Sequence, residues 1–541
     1  EISCSLVGSE MCIRDSITSG AALALKGRVE LLYASPLFNR ADDVTRWETA
    51  YQTNLAAVKK LEEGNFGLAY ENNSGKNAAG WGKIFSDYIG SEGGGGTVSE
   101  AVLVTLYNNV SPAEHLQLEK WNGWEHSLRP ANAGGGGGMT PTAEMVDLFP
   151  MADGKKPNDM NGSYDYNQEL FFLNRDPRFY RTFAFPGVEW KFDSDDLKSF
   201  GEKGQLPYGI NGYTTGNNYK LWNYCWYDNV DDRNSNSKSG YAADCLGTKN
   251  TGIYLRKRTD DLALNSNPLY IFEKTSGNGF RQSAAPYMEI RFAEVLLNYA
   301  EAACGANHFD EAVNALKRIR KRVGYTDNCG LDPAIFNDRA KLFEAILYER
   351  QIELAYEGKR FHDVRRWMLF DGGVGQEALK STWKLTGFNG NTCNYLGVEP
   401  LNGQRRHRIE VYAKNFIAAK SNNVYNEDKT IKETYDELWN KRPTALSLTE
   451  DITCTESADD EITYADAKVK ALAQFYQEHF KRKNLSTDGN DETILPTFKP
   501  YYYILGFKKN AMQNNVSLEQ NIGWGDYWRG GADGTFDPLA E

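Results

Sequence analysis

Apolar residues recur at three- and four-residue spacing in two well-defined parts of the chain. Between residues 17 and 65, Ala22, Leu25, Val29 and Leu32 repeat along one predicted helix, with Thr18 or Ser19 placed to cap it. SPLFN at 35–39 turns the chain, and Trp47, Tyr51, Leu55, Val58 and Leu61 mark a second amphipathic helix. Together they predict an antiparallel helix pair. The rhythm returns at 281–370, where EIRFAEVLLNYAEAAC and DEAVNALKRIRKRVG are consecutive helical segments joined by GANHF. Ala300 and Ala312 have the spacing of the small residues where the two helices of a tetratricopeptide repeat touch. Two helix pairs of similar form predict a mainly α fold on a tetratricopeptide-like, helical-repeat scaffold.

Elsewhere the rhythm is lost. Residues 66–280 and 371–541 are irregular, rich in Asn, Asp, Tyr and Trp, and read as long loop-rich insertions. The glycine run Gly134–Gly138 leads straight into MTPTAEMVDLF, a turn, cap and helix, so it is a loop inside a domain. Neither it nor Gly93–Gly96 leads into the Gly-Lys-Ser/Thr of a phosphate-binding loop. A charged helix is expected near 464–482. Residues 1–16 stand apart: EMCIRDS within them is the translation of a sequencing-library transposon end, so they read as adapter read-through and 17–541 as one domain. On that reading the chain is an N-terminally truncated fragment, and Cys4 and Cys12 carry no chemistry.

Composition narrows the function. Of 541 residues 41% are hydrophobic and 25% charged, the balance of a globular protein. Lys and Arg total 61 against 73 Asp and Glu, a net charge of −12, which argues against nucleic acid as partner. No apolar run approaches the roughly 18 residues that span a bilayer. Eight cysteines form no CxxC pair and six histidines no HExxH, so no zinc or thioredoxin-like site is expected. DDRNSNSKSG at 231–240 alternates oxygen ligands faintly as a calcium loop does, but lacks its central glycine and closing glutamate. No cofactor is expected, with calcium at that loop as the alternative left open.

Two stretches raise candidate chemistry. In YERQIELAYEGKRFHDVRRW at 348–367, Glu349, Glu353 and Glu357 continue the apolar stripe of Leu342 and Ile346, and Gly358 is placed to end the helix in a left-handed conformation. Carboxylates on one face could be a glycosidase pair, which needs a separation of about 5–10 Å. However, Lys359, Arg360, Arg365 and Arg366 follow at once, and such neighbours lower carboxyl pKa values, the wrong direction for a general acid. The expectation is therefore a structural ion-pair brace of Glu349, Glu353, Glu357, Arg360, Asp363 and Arg366, with no catalytic residue. In YKLWNYCWYDN at 219–229, Trp222, Tyr224 and Trp226 share one face of an extended strand at about 6.6 Å per step. They are candidate glycan contacts if that face is open, and core packing if it is not.

Several segments, taken in order, resemble the SusD/RagB family of nutrient-uptake outer-membrane lipoproteins. AALALKGRVELLYASPLFN looks like the family's helix ending in SPLFN. MTPTAEMVDLF followed by NRDPRFYRTF is similar to its "PT-helix, then RDPRF" order. TGIYLRKR, EIRFAEVLLNYAEA, ERQIELAYEGKRFHDVRRW and NNVSLEQNIGW complete a set that covers nearly everything after Ile17. QNIGW stands where the family usually has QNPGW, and the family's signal, lipidated cysteine and first helices have no counterpart here.

The resemblance implies a helical tetratricopeptide-like scaffold whose long loops bind glycan. It implies a lipid anchor on the outer face of the outer membrane and a SusC-like TonB-dependent transporter as the partner that receives the oligosaccharide. No catalysis is implied, and glycan contacts vary with substrate, so none is carried over. The rival readings are a helical-repeat scaffold for protein interaction, which the long insertions argue against, and a helical-barrel glycoside hydrolase, which reducing-sugar release would expose.

Overall fold

A computed structural model describes residues 18–75, 78–85, 98–110, 120–130, 135–136, 138–190, 219–225, 252–259, 279–373, 391–404, 406–414, 438, 441–447, 455–456, 462–463, 467–486 and 498–539. Residues 1–16, Trp226 and the segment 231–240 lie outside the described residues, and with them the adapter and calcium-loop expectations.

Helix α1 (Ser19–Ala34) is capped by Thr18, whose hydroxyl accepts from the Ala21 N–H at 3.1 Å. In the SPLFN turn the Asn39 side chain accepts from the Asp43 N–H and donates to the Ala34 carbonyl, leading into α2 (Val44–Glu63). The pair forms as predicted, but on a different face of α1. Ala22, Leu25, Val29 and Leu32 all lie on the solvent side, Val29 being 57% exposed. The buried face is Gly20, Ala21, Ala24, Gly27, Leu31 and Ala34. Close approach is the reason: a Cβ added at Gly27 would sit 2.4 Å from Asn54 Oδ1 on α2, so only small residues fit the seam. On α2 the predicted stripe is buried, Leu55 partly so.

The loop-rich stretch contributes β1 (Ala101–Thr105), α3 (Ala143–Leu148), α4 (Pro177–Thr182), β2 (Val188–Trp190) and β3 (Tyr219–Leu221). Thr142 caps α3 and Asp176 caps α4, each accepting a backbone N–H two or three residues on. Strand β4 (Tyr287–Arg291) pairs antiparallel with β1, from Thr105 opposite Tyr287 to Ala101 opposite Arg291. It runs directly into α5 (Phe292–Gly305), which is buried at every residue and packs against α1, α2, α6 (Phe309–Lys321) and α7 (Arg339–Glu353). A helix buried on all sides belongs at the centre of a helical layer, and its polar residues Glu294, Asn298 and Glu301 are met there by Arg28, Arg350 and Arg366. Ala300 and Ala312 are both fully buried there. After α7 comes α8 (Arg360–Arg366).

A second core lies among the short pieces, with Phe171, Phe172, Phe179, Phe183 and Phe185 at its centre. It is closed by β5 (His407–Ala413), β6 (Leu446–Ser447), α9 (Ala467–His479) and β7 (Phe480–Ser486). β7 pairs antiparallel with β5, and β2 lies between β3 and β6. The architecture is thus a tetratricopeptide-like helical scaffold carrying small two- and three-stranded sheets. No described helix is long and apolar enough to cross a membrane.

Candidate ligand-binding site

Helix α7 separates two environments, because residues four apart share a face and residues two apart do not. Glu349 and Glu353 stand on one side and meet cations delivered by four other segments. Arg178, from α4, grips Asp176 and donates to both Glu349 and Glu353, the latter at 2.9 Å. Arg291, the last residue of β4, spends its donors on Glu357, Glu100 and Glu353 at 2.7–2.9 Å and on the Glu353 carbonyl. Arg322 donates to Glu100 and Glu353, and Lys257 reaches Glu357 at 2.6 Å. All these side chains are out of water.

Burial pushes the Glu353 carboxyl up, but Arg322, Arg291, Arg178 and Lys257 overrule it and hold it well below the usual range. Glu357 feels the same burial, and Arg291 and Lys257 bring it down to about 2. Carboxylates so held have no proton to give. A second knot lies one turn on: Asp363 is buried between Arg350 and Arg366, which lower its pKa against the cost of burial, and Arg366 also binds Glu301 at 2.7 Å.

Arg360 departs from the expected brace. Among the described residues it makes neither a hydrogen bond nor an ion pair, and its side chain lines a cavity of about 780 Å³ on the other side of α7. Burial lowers its pKa to about 10, and Arg406, Arg366 and Arg350 push the same way against Asp363. It stays charged at neutral pH, with Asp363 the acid that favours its charge, but with no ion pair of its own among the described residues. The helix also ends sooner than the sequence implies: α7 stops at Glu353, so Glu357 sits in the following turn, with Tyr356 at φ 60° and Gly358 at φ 78°. Gly358 does take the left-handed conformation expected of it.

The cavity is walled by the stripe of α7 opposite the brace, with Leu347 and Gln351, by Ala355 in the turn that follows, and by Met145 and Leu148 of α3. Tyr348 ties these walls together by donating to the Leu148 carbonyl at 2.6 Å. Two residues of the lining each carry a buried polar atom without a hydrogen-bond partner among the described residues: Tyr356 its hydroxyl and Arg365 its Nε. Arg365 lies 3.6 Å above the Phe361 ring, which is 47% exposed at the same lining. An apolar trough with a few unmet polar groups and a half-exposed aromatic ring is the composition of a small-molecule pocket. Sequence patterning does not find it, because its residues come from three separate stretches of chain.

The aromatic platform is a correction. Trp222 is 3% exposed and Tyr224 fully buried. Strand β3 ends at Leu221, and residues 222–225 run between α9 and β5, with the Cys225 N–H donating to the Val411 carbonyl. Trp222 meets Phe475 edge-on at 5.7 Å, and Tyr224 packs on Phe480 at 4.8 Å while accepting from Arg442. Neither ring has a free face for a sugar. Trp226 lies outside the described residues.

Fold and cavity together define a tetratricopeptide-like helical protein with a cavity beside α7. The sequence profile of the SusD family matches residues 82–524, more than half of the chain, and the chain belongs to that family. It is 34% identical over 131 residues to SusD-like protein P2 of Formosa agariphila, a stretch covering 22% of this chain and 25% of that protein. The chain thus spans about a quarter of the length of that curated relative. A crystal structure of a SusD-like protein from Bacteroides fragilis superimposes with a TM-score of 0.51 at 19% identity, covering 95% of this chain and 68% of the other. That likeness establishes the fold.

Proposed function

We propose that the protein binds oligosaccharide without altering it, at the outer face of the outer membrane, and passes it to a SusC-type TonB-dependent transporter. The observation that carries the reading is the cavity beside α7 in a chain of the SusD family, lined by residues with unmet polar groups and by a half-exposed aromatic ring. Sugars present flat apolar faces and a rim of hydroxyls, so Phe361 would stack a ring while Gln351, Tyr356 and the arginines take hydroxyls. The brace supports a binding role over catalysis, since Glu353, Glu357 and Asp363 are held ionised and buried away from solvent. A lipid anchor would hold the protein at the surface.

The test is electrophoresis in native gels cast with individual polysaccharides, beside a reducing-sugar assay and recovery of the transporter with tagged protein from outer membranes. Retardation by at least one polysaccharide, loss of it in Phe361→Ala, and no release of reducing ends are the expected results. Retardation by none would overturn the reading, and release of reducing ends would return it to a hydrolase.

A further inference from the structure

The charges around the cavity are unevenly matched. Its carboxylates have partners of their own: Glu144 accepts from the His407 backbone and ring, Glu344 from Lys156, and Glu399 from Gln404 at 2.9 Å. Two of its arginines differ. Arg360 has no hydrogen bond or ion pair among the described residues, and Arg365 donates only from Nη1, to the Phe361 carbonyl at 3.1 Å. Arg406 brings a third guanidinium to the same lining. A few residues away Arg291 shows what this fold does with a buried guanidinium, since its donors are matched to three carboxylates and a carbonyl. A guanidinium offers five N–H groups in a fork suited to a planar oxyanion, and leaving it partly desolvated without a counter-charge is costly. Neutral hydroxyls would fill hydrogen bonds there but would give Arg360 and Arg365 no oxyanion to pair with.

We infer that the cavity selects an acidic saccharide, one carrying a carboxylate or a sulfate ester on its ring, with Arg360 and Arg365 receiving the oxyanion and Phe361 the apolar face of the sugar. This rests on the glycan-binding reading above and names its ligand class. The net charge of −12 sets the rest of the molecule against a polyanion, so recognition depends on contact inside the cavity and not on long-range attraction.

The experiment is titration calorimetry of the full chain with oligogalacturonate, its methyl ester, a sulfated galactan oligosaccharide and neutral maltoheptaose. The same ligands are then run against Arg360→Gln/Arg365→Gln. Oligogalacturonate or the sulfated ligand should bind at least about tenfold more tightly than the neutral sugars, and the double variant should lose that margin. Whichever of the two binds identifies carboxylate or sulfate as the group received. The comparison of acid with ester uses unaltered protein, so the inference stays testable even if the variant does not fold. Binding of maltoheptaose or the ester as tightly as the acids, unchanged in the variant, would overturn acid selection while glycan binding stands. Binding of no saccharide at all would overturn both.

Discussion

Arg291 and Glu353 meet at 2.7 Å across 62 residues of chain, both side chains out of water, where β4 hands over to α5 and α7 comes to its end. The contact joins the helical layer to the strand that enters it. Removing Glu353 would leave Arg178, Arg291 and Arg322 each short of a carboxylate in a place that water does not reach. Glu353→Ala should cost about 3–5 kcal/mol, the range for breaking one side of a buried pair. A urea unfolding curve measures it, and a loss under about 1 kcal/mol would mean the network does not brace the fold.

The same network predicts how stability depends on pH. Glu357 has its folded pKa lowered from 4.5 to about 2, so its contribution is fully present above the unfolded value and drains away as pH falls from about 4.5 towards 2. Asp363 and Glu353 are shifted in the same direction and add to the loss in acid. The Glu357 share is on the order of 3 kcal/mol. Denaturant midpoints at pH 7, 5 and 3 should therefore be nearly equal for the first two and sharply lower for the third. In Glu357→Gln the step between pH 5 and 3 should shrink.

Trp222→Ala should act on stability. The ring fills space against Phe475 in the second core, and its loss should cost about 3–5 kcal/mol, as large-to-small changes in packed cores do. Folded variant should keep the wild-type affinity for glycan. A weaker affinity at unchanged melting temperature would restore the platform reading.

Leu25 and Val29 make the opposite case. Their spacing looks like a core stripe, yet both are exposed on α1. Leu25→Lys/Val29→Lys should change the unfolding free energy of this chain by no more than about 0.5 kcal/mol per site, as surface substitutions do. A loss of several kcal/mol would place that face in the core after all.

What was legible in the sequence follows from locality. Helix pairs, caps and turns depend on residues within a few positions of one another, so Thr18, Asn39, Thr142 and Gly358 did what their types suggest. The acid side of the brace was legible for a similar reason: Glu349, Glu353 and Asp363 sit beside a run of cations. Their actual partners were not, because Arg178, Lys257, Arg291 and Arg322 arrive from segments 31–175 residues away. Which face of α1 is buried depended on the clearance at Gly27 and Asn54, set by two backbones together. The cavity is hidden from the sequence for the same cause, and Arg360 reads as part of the brace because adjacency in sequence says nothing of the side of a helix to which a long side chain turns.

Tyr356 offers a test in which stability and binding should move apart. The residue lines the cavity, and its hydroxyl is buried with no hydrogen-bond partner among the described residues, on a backbone at φ 60° that non-glycine residues seldom adopt. An unmet buried hydroxyl costs about 1–3 kcal/mol, and burial with no compensating partner also raises its pKa well above that of a free phenol. Tyr356→Phe removes the oxygen and keeps the ring, which packs edge-on against Phe183. The free protein should therefore gain about 1 kcal/mol or more in urea unfolding, while glycan binding should weaken if, as proposed, a bound sugar reaches this hydroxyl. A variant that is more stable and binds equally well would show that the hydroxyl serves no ligand. A variant that is less stable would show that the hydroxyl already has a partner in the fold.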